Sequence, residues 1–308
     1  MTAQPAIVPA EQPLRFGLVG TGYWARAAHA RALASTPGVE FAAVWGRNPA
    51  AAAELAASHG ATAHEGFGSF LADVDCVAFS VPPDVQSHLA VRAAGAGKHL
   101  LLEKPIATSA ATARALAQAV REAGVASVVF FVARYQPAIR AWLAEVAAGH
   151  WAGGSAVWLG SSLAADSPFN TPWRREKGGL WDLGPHALSV LAAALGPVTS
   201  VTADAGAGDL SYLVLHHDTG ATSTVTLTLN APPTLDSFDV YVWGQRGKSA
   251  MPALAGDPVA ALRVALTELA DGARAGDRGH PCDVHFGSEV TRVLAEAERQ
   301  LAARGQTG

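Results

Sequence analysis

The sequence predicts an α/β protein in which a doubly wound parallel sheet is followed by a separate α+β domain. Three observations carry that expectation. From Leu14 to Val132, short apolar runs alternate with helical stretches of about 10–15 residues, the rhythm of βαβ units. A glycine-rich turn, Gly20–Ala25, closes the first of these runs. Beyond Arg134 the chain changes to strand-like segments with polar–apolar alternation, as in Thr222–Asn230, which suits one open, half-buried antiparallel sheet. At 308 residues two domains are expected, over 14–133 and 134–308, after a flexible leader at 1–13.

The elements follow in order. Leu14–Val19 is the first strand, and right-handed crossovers place every strand end of this sheet on one edge. A helix is expected over Ala25–Ser35, a strand over Val39–Trp45 and a helix over Pro49–Ser58, where proline suits the first helical position. Strands at Asp75–Val81, His99–Leu102 and Val125–Val132 are separated by helices at Val85–Ala96 and Ser109–Ala123. In the second half a helix at Pro137–Ala148 precedes a strand at Ser155–Leu163, and a helical run covers Ala187–Leu195. Strands then follow at Ser200–Ala205, Tyr212–His217, Ser223–Asn230 and Phe238–Trp243, with Asp218-Thr219-Gly220 as a hairpin turn. Helices at Pro258–Ala273 and Phe286–Ala303 end the chain.

Composition narrows the function classes. A formal charge of -4 and a pI near 6.2 leave no footprint for nucleic acid or an anionic membrane. No apolar run approaches the ~20 residues of a membrane span. Met1–Pro13 has neither a basic n-region nor an apolar h-region. The two cysteines, Cys76 and Cys282, lie far apart, as expected for thiols in a reducing cytoplasm.

Gly20-Thr21-Gly22-Tyr23-Trp24-Ala25 matches the dinucleotide fingerprint, with Ala25 in the third small-residue slot. It follows a strand and opens a helix, the context that the motif requires. Gly20 permits the turn, Gly22 admits a pyrophosphate close to the backbone, and the helix N-terminus supplies unpaired N–H groups. An acid that would bind the ribose 2′-hydroxyl is expected about 20 residues on. Here Trp45 is followed instead by Gly46-Arg47-Asn48, which removes a carboxylate and offers a guanidinium to a 2′-phosphate. NADP is therefore favoured over NAD.

Two further segments carry chemistry. The apolar run Leu100–Leu102 leads into Glu103-Lys104-Pro105, which puts an amine at a strand end on the ligand-binding edge of the sheet. Gly178-Gly179-Leu180-Trp181-Asp182-Leu183-Gly184-Pro185-His186 precedes the Ala187–Leu195 helix. Pro185 is tolerated only near a helix start, so the helix is expected to begin close to Asp182. Asp182 and His186, four apart, would then share one face at its mouth.

Taken together, these motifs resemble the Gfo/Idh/MocA oxidoreductase family. The Gly-rich turn, Val81-Pro82-Pro83 with His88 after it, Gly97-Lys98-His99 leading into Glu103-Lys104-Pro105, and Gly179…Asp182…His186 occur in the family's order. The resemblance covers nearly the whole chain after Leu14. It implies a Rossmann domain joined to an α/β domain with a large, mostly antiparallel sheet, an active site between the two, and a homodimer or homotetramer formed through that sheet. It also implies hydride transfer between a nicotinamide and a sugar, cyclitol or similar polyol. On this resemblance Lys104 approaches the substrate hydroxyl and the cofactor, His186 accepts or donates the proton, and Asp182 orients the substrate or the imidazole. Lys104 would act either as an amine of depressed pKa or as a polarising ammonium. Cofactor contacts are expected from Gly20, Thr21, Gly22, Tyr23, Trp24, Gly46, Arg47, Asn48, Val81, Pro82, Pro83, His88, Glu103 and Lys104. Substrate contacts are expected from Lys104, Arg134, Trp173, Arg174, Asp182 and His186, with the Trp173-Arg174 pair in a Pro-bounded loop. Three departures stand out: Val132-Ala133 where the family carries Asn-Arg, Asp84 where Asn is common, and a chain shorter than many relatives.

No metal site is expected. His280, Cys282 and His285 fit no four-ligand spacing, and Asp283 reads as a helix cap beside them. His216 and His217 end a strand, where alternation sends them to opposite faces, as surface or oligomer residues. A protein of another class, a non-catalytic NAD(P)-binding metabolite or redox sensor, would need the cofactor pocket but not an acid–base pair.

Overall fold

The structure is a computed structural model that describes residues 12–305, so residues 1–11 of the expected leader lie outside it. The chain divides into two compact units, residues 12–132 with Gly256–Glu289, and Ala133–Ala255 with residues 290–305.

The first unit contains strands β1 (Leu14–Val19), β2 (Val39–Trp45), β3 (Thr62–His64), β4 (Cys76–Phe79), β5 (His99–Glu103) and β6 (Ser127–Phe130). Helices α1 (Ala30–Ser35), α2 (Pro49–Ala57), α3 (Phe67–Ala72), α4 (Pro83–Gly95) and α5 (Ala110–Ala123) join them, and a π-helical turn over Ala25–His29 leads into α1. All pairings are parallel, in the order β3-β2-β1-β4-β5-β6. Cys76–Phe79 and His99–Leu102 are buried throughout, as parallel strands covered on both faces require. Asn48 caps α2 by accepting from Ala51 N at 3.2 Å, with Pro49 at the first position. The strand order reverses between β1 and β4, which makes their carboxyl ends the ligand crevice of such a sheet.

The second unit has α6 (Pro137–Ala147), β7 (Gly153–Leu159), α7 (Pro172–Asp182) and α8 (Gly184–Leu195), followed by β8 (Val198–Ala205), β9 (Ser211–His217), β10 (Thr222–Thr228), β11 (Ser237–Gly244) and β12 (Gly247–Ala250). The sheet order is β12-β11-β7-β10-β9-β8, antiparallel except for β7 with β10. Leu213, Leu215, Val225, Leu227 and Leu229 line its buried face, against which α8 packs.

The last two helices are α9 (Pro258–Ala275) and α10 (Val284–Gly305). Here the structure corrects the expected domain layout. α9 packs on α1, β5 and β6, so residues 256–289 return to the first unit rather than continue the second. Asp283 accepts from Phe286 N at 2.8 Å at the start of α10, as a cap does.

Candidate functional site

The crevice edge of the first unit is built around the glycine turn. Gly20 N donates to Trp45 O at 2.9 Å, and Ser80 N donates to Val19 O at 2.8 Å, so the end of β1 is held by both neighbouring segments. Gly20 has φ +126°, and a Cβ there would collide with the Ser80 carbonyl. Gly22 is the opposite case: it is exposed, and a Cβ would meet nothing within 4 Å. That open backbone, at the start of the helical turn, fits a pyrophosphate. Arg26 pins the turn by donating to Thr21 O at 3.1 Å while pairing with Glu54 at 3.1 Å.

Lys104 follows β5 immediately and is half-buried. Its position is fixed through Glu103. The buried Gln86 side chain accepts from Glu103 N at 2.8 Å and donates to Glu103 O at 2.7 Å. The Glu103 carboxylate accepts from Trp24 Nε1 and from His29 Nε2, both at 2.7 Å and both on Oε1. His29 is 1% exposed. Lys104-Pro105 is a cis peptide bond.

In the second unit the expected single helix at Asp182–Leu195 is two helices meeting at Leu183. Asp182 ends α7, and His186 is the third residue of α8. The break arises because Gly184 and Pro185 start a new helix, while α7 extends back to Pro172 across a kink at Gly178 (φ +62°). That kink is held by Asp209, which accepts from Gly179 N at 3.1 Å, Leu229 N at 2.7 Å and the Thr228 hydroxyl at 2.6 Å. Trp173 and Arg174 are therefore on a helix, not in a loop. Thr171 caps that helix, accepting from Arg174 N at 3.4 Å. Arg174 Nε donates to Asp182 Oδ2 at 2.8 Å, and its guanidinium carbon lies 5.2 Å from the Phe169 ring centroid. Asp182 and His186 are buried, and the His186 ring lies 5.4 Å from Trp158, which stacks on Phe238 at 4.1 Å.

Residues 14–131 match the profile described as "Oxidoreductase family, NAD-binding Rossmann fold", and residues 137–249 match the "GFO/IDH/MocA C-terminal domain". The chain belongs to the Gfo/Idh/MocA oxidoreductase family. It is 28% identical to 4-carboxy-2-hydroxymuconate-6-semialdehyde dehydrogenase of Sphingobium sp. strain SYK-6, over 74% of this chain and 76% of that protein. It is 29% identical to D-xylose 1-dehydrogenase (NADP(+)) 2 of Haloferax volcanii, over 87% and 83%. Among solved structures, levoglucosan dehydrogenase in complex with NADH and L-sorbose shares the fold at a TM-score of 0.82 and 20% identity, with 95% of this chain and 97% of that one covered.

The remaining expected residues of this oxidoreductase fall in several places. Arg47 is exposed after β2, while Asn48 is committed to capping α2. Val81 is half-buried, Pro82 exposed and Pro83 buried at the start of α4. His88 is exposed, two residues and about 200° around α4 from Gln86. Arg134 donates to Ser189 O on α8 at 2.9 Å, a contact that secures the helix carrying His186. Trp173 is half-buried, and its indole Nε1 makes no hydrogen bond. His216 is exposed, but His217 is not a surface residue. It is buried, bonded to Gly196 O at 2.7 Å and Ser223 Oγ at 2.8 Å, and burial holds its pKa below the usual value. Among the described residues no group of three or more His, Cys, Asp or Glu could hold a metal ion. No helix among them is long and apolar enough to cross a membrane. Sequence reading missed Gln86, His29, Asp209 and the Arg174–Asp182 pairing. All four depend on contacts between segments far apart in sequence or across a helix kink.

Proposed function

We propose that this family member is an NAD(P)-dependent dehydrogenase or reductase acting on a secondary alcohol or ketone of a sugar, cyclitol or similar polyol. One observation carries the reading: the segment bearing Lys104 is hydrogen-bonded, through Glu103 and Trp24, to the turn that fits the dinucleotide. The bound nicotinamide supplies the hydride acceptor or donor. Gly20–Trp24 hold its pyrophosphate on open backbone and the helix N-terminus. Lys104 presents its amine to the substrate oxygen, where charge develops. His186 exchanges the proton, a task suited to imidazole near neutral pH. Asp182 with Arg174 orients the substrate or the imidazole. The 2′-phosphate of NADP is read by Arg47, and a relative named for NADP(+) use fits that preference.

The outer face of the second sheet supports self-association as a homodimer or homotetramer. Tyr212 (44% exposed) and Val214 pair with Thr226 and Thr224 of β10, and Trp243 is exposed two strands away on β11. A cytoplasmic location suits the two buried free thiols, Cys76 and Cys282.

The test is turnover by purified protein against sugars, cyclitols and semialdehydes, each with NAD(H) and NADP(H). The semialdehydes are included because one relative is named for such a substrate. Turnover with at least one sugar or polyol is expected. Tight cofactor binding with no turnover across the panel would favour the sensor instead.

A further inference from the structure

We propose that Glu103 is a positioning residue that couples occupancy of the Gly20–Trp24 turn to the presentation of Lys104. The inference rests on the dehydrogenase reading only in taking a dinucleotide as the occupant. A carboxylate with 14% side-chain exposure is costly unless its lone pairs are met, and both donors to Oε1 come from the fingerprint turn and the helical turn after it. Trp24 lies two residues beyond Gly22, so a phosphate settling on that backbone acts on the segment that carries the indole donor. His29 holds the same oxygen from a position 1% exposed, and its Nδ1 makes no hydrogen bond. Nε2 therefore carries the proton that faces the carboxylate. On the other side Gln86 grips both backbone groups of Glu103, which leaves the strand end little freedom to shift without changing partners. Lys104 is the next residue. A change in the turn thus reaches the amine through one side chain and one peptide bond.

Acetylation of lysine by N-hydroxysuccinimide acetate, followed by peptide mass spectrometry, reads the coupling directly. The chain has four lysines, and Lys98, Lys177 and Lys248 serve as internal references for Lys104. ADP-ribose is the probe, because it fills the pyrophosphate turn but has no nicotinamide ring to shield the amine. Saturating ADP-ribose should change the relative acetylation rate of Lys104 about fivefold in the wild-type chain, the lower end of ordinary coupling between sites. Glu103→Ala and Trp24→Phe should abolish that response, while Glu103→Gln, which keeps an acceptor oxygen, should restore most of it. Trp24→Phe removes one N–H donor and keeps the ring volume, so the test survives if Glu103→Ala fails to fold. Calorimetry on each protein confirms saturation. An equal response in wild type and variants, or none in wild type with ADP-ribose bound, would overturn the coupling alone. Failure of the wild-type chain to bind ADP-ribose, NADH and NADPH would overturn the dehydrogenase reading, and the coupling with it.

Discussion

The Lys104 strand end and the Asp182–His186 helix junction hold their polar groups in opposite ways. At the strand end the scaffold is more enclosed than the group proposed to act: Gln86 and His29 are buried, whereas Lys104 is half-buried. At the junction the groups proposed to act are themselves in the interior, with Asp182 4% and His186 6% exposed. On the proposed roles, removing the Lys104 amine takes away chemistry and little buried packing. Removing a polar group at the junction takes away both, because a buried charge left without its partner is strongly destabilising.

The sharpest way to break this contrast is to truncate one group on each side. Lys104→Ala and His186→Ala should each lower turnover by about 10²–10⁴, the usual contribution of general acid–base catalysis, with NAD(P)H affinity retained. The double variant should be little worse than either single one, since groups acting as a unit are non-additive. His186→Ala should lower the unfolding midpoint more than Lys104→Ala, because it removes a buried ring packed against Trp158. Surviving turnover in both singles would sink the assignment, and equal stability losses would sink the contrast.

The second-largest effect belongs to Arg174. Arg174→Ala removes one partner from the Asp182 carboxylate, whose side chain is 6% exposed. A loss of about 1–3 kcal/mol is expected, the scale of one charge-assisted hydrogen bond to a buried carboxylate. Arg174→Lys keeps the charge but not the fork and should recover part of that loss. Denaturant unfolding measures both, and an unchanged midpoint for Arg174→Ala would show that Asp182 is held by other groups.

The same contrast explains what could be read before the structure. The β1 strand, the glycine turn and Glu103-Lys104-Pro105 were legible because each is a local pattern: an apolar run, a spacing of small residues, a strand stopped by proline. The junction was only half legible. Asp182 and His186 stand out, but the helix that ends at Asp182 does not: it crosses a kink at Gly178, beside which Asp209, some 30 positions on, holds Gly179. The prolines around Trp173-Arg174 suggest a loop, yet Pro172 takes the first position of α7 and puts both residues on a helix. Strand β3 and helix α3 were too short to rise above their surroundings. The return of α9 to the first unit leaves no local mark at all, since an amphipathic helix records that it has a buried face and not what covers it.

A pH experiment sharpens the comparison inside the first unit, at the far end of the strand that presents Lys104. His99 opens β5, 8% exposed, and its Nδ1 accepts from Ala126 N at 2.9 Å. Burial, reinforced by Arg278, lowers its pKa from 6.5 to about 4. The unfolded chain therefore binds the proton more readily than the folded one between those two values. Stability from this group is complete above about pH 6.5 and is lost progressively as pH falls toward about 4, by about 3 kcal/mol in all. His99→Asn, whose amide oxygen can replace Nδ1 as acceptor, should flatten the pH dependence of unfolding within that window. A slope unchanged by the substitution would assign the acid sensitivity to other groups.

The smallest effect is expected where the structure offers the least enclosure. Arg47 is exposed after β2, in a position where an acid would read the ribose of NAD, and Asn48 beside it is occupied with the α2 cap. Gly46 stands where the acid is expected, and Arg47 beside it offers a guanidinium to a 2′-phosphate. Arg47→Ala should weaken NADPH binding about tenfold, the scale of a single charge-assisted contact, and leave NADH binding within about twofold. Because the contact is solvated, raising the salt concentration should narrow the gap between wild type and variant, unlike the buried Arg174–Asp182 pair. Parallel titrations with both cofactors at low and high salt decide the matter. Equal losses for NADPH and NADH would show that Arg47 does not read the 2′-phosphate, and the cofactor preference would then have to be sought elsewhere on the β1–β2 edge.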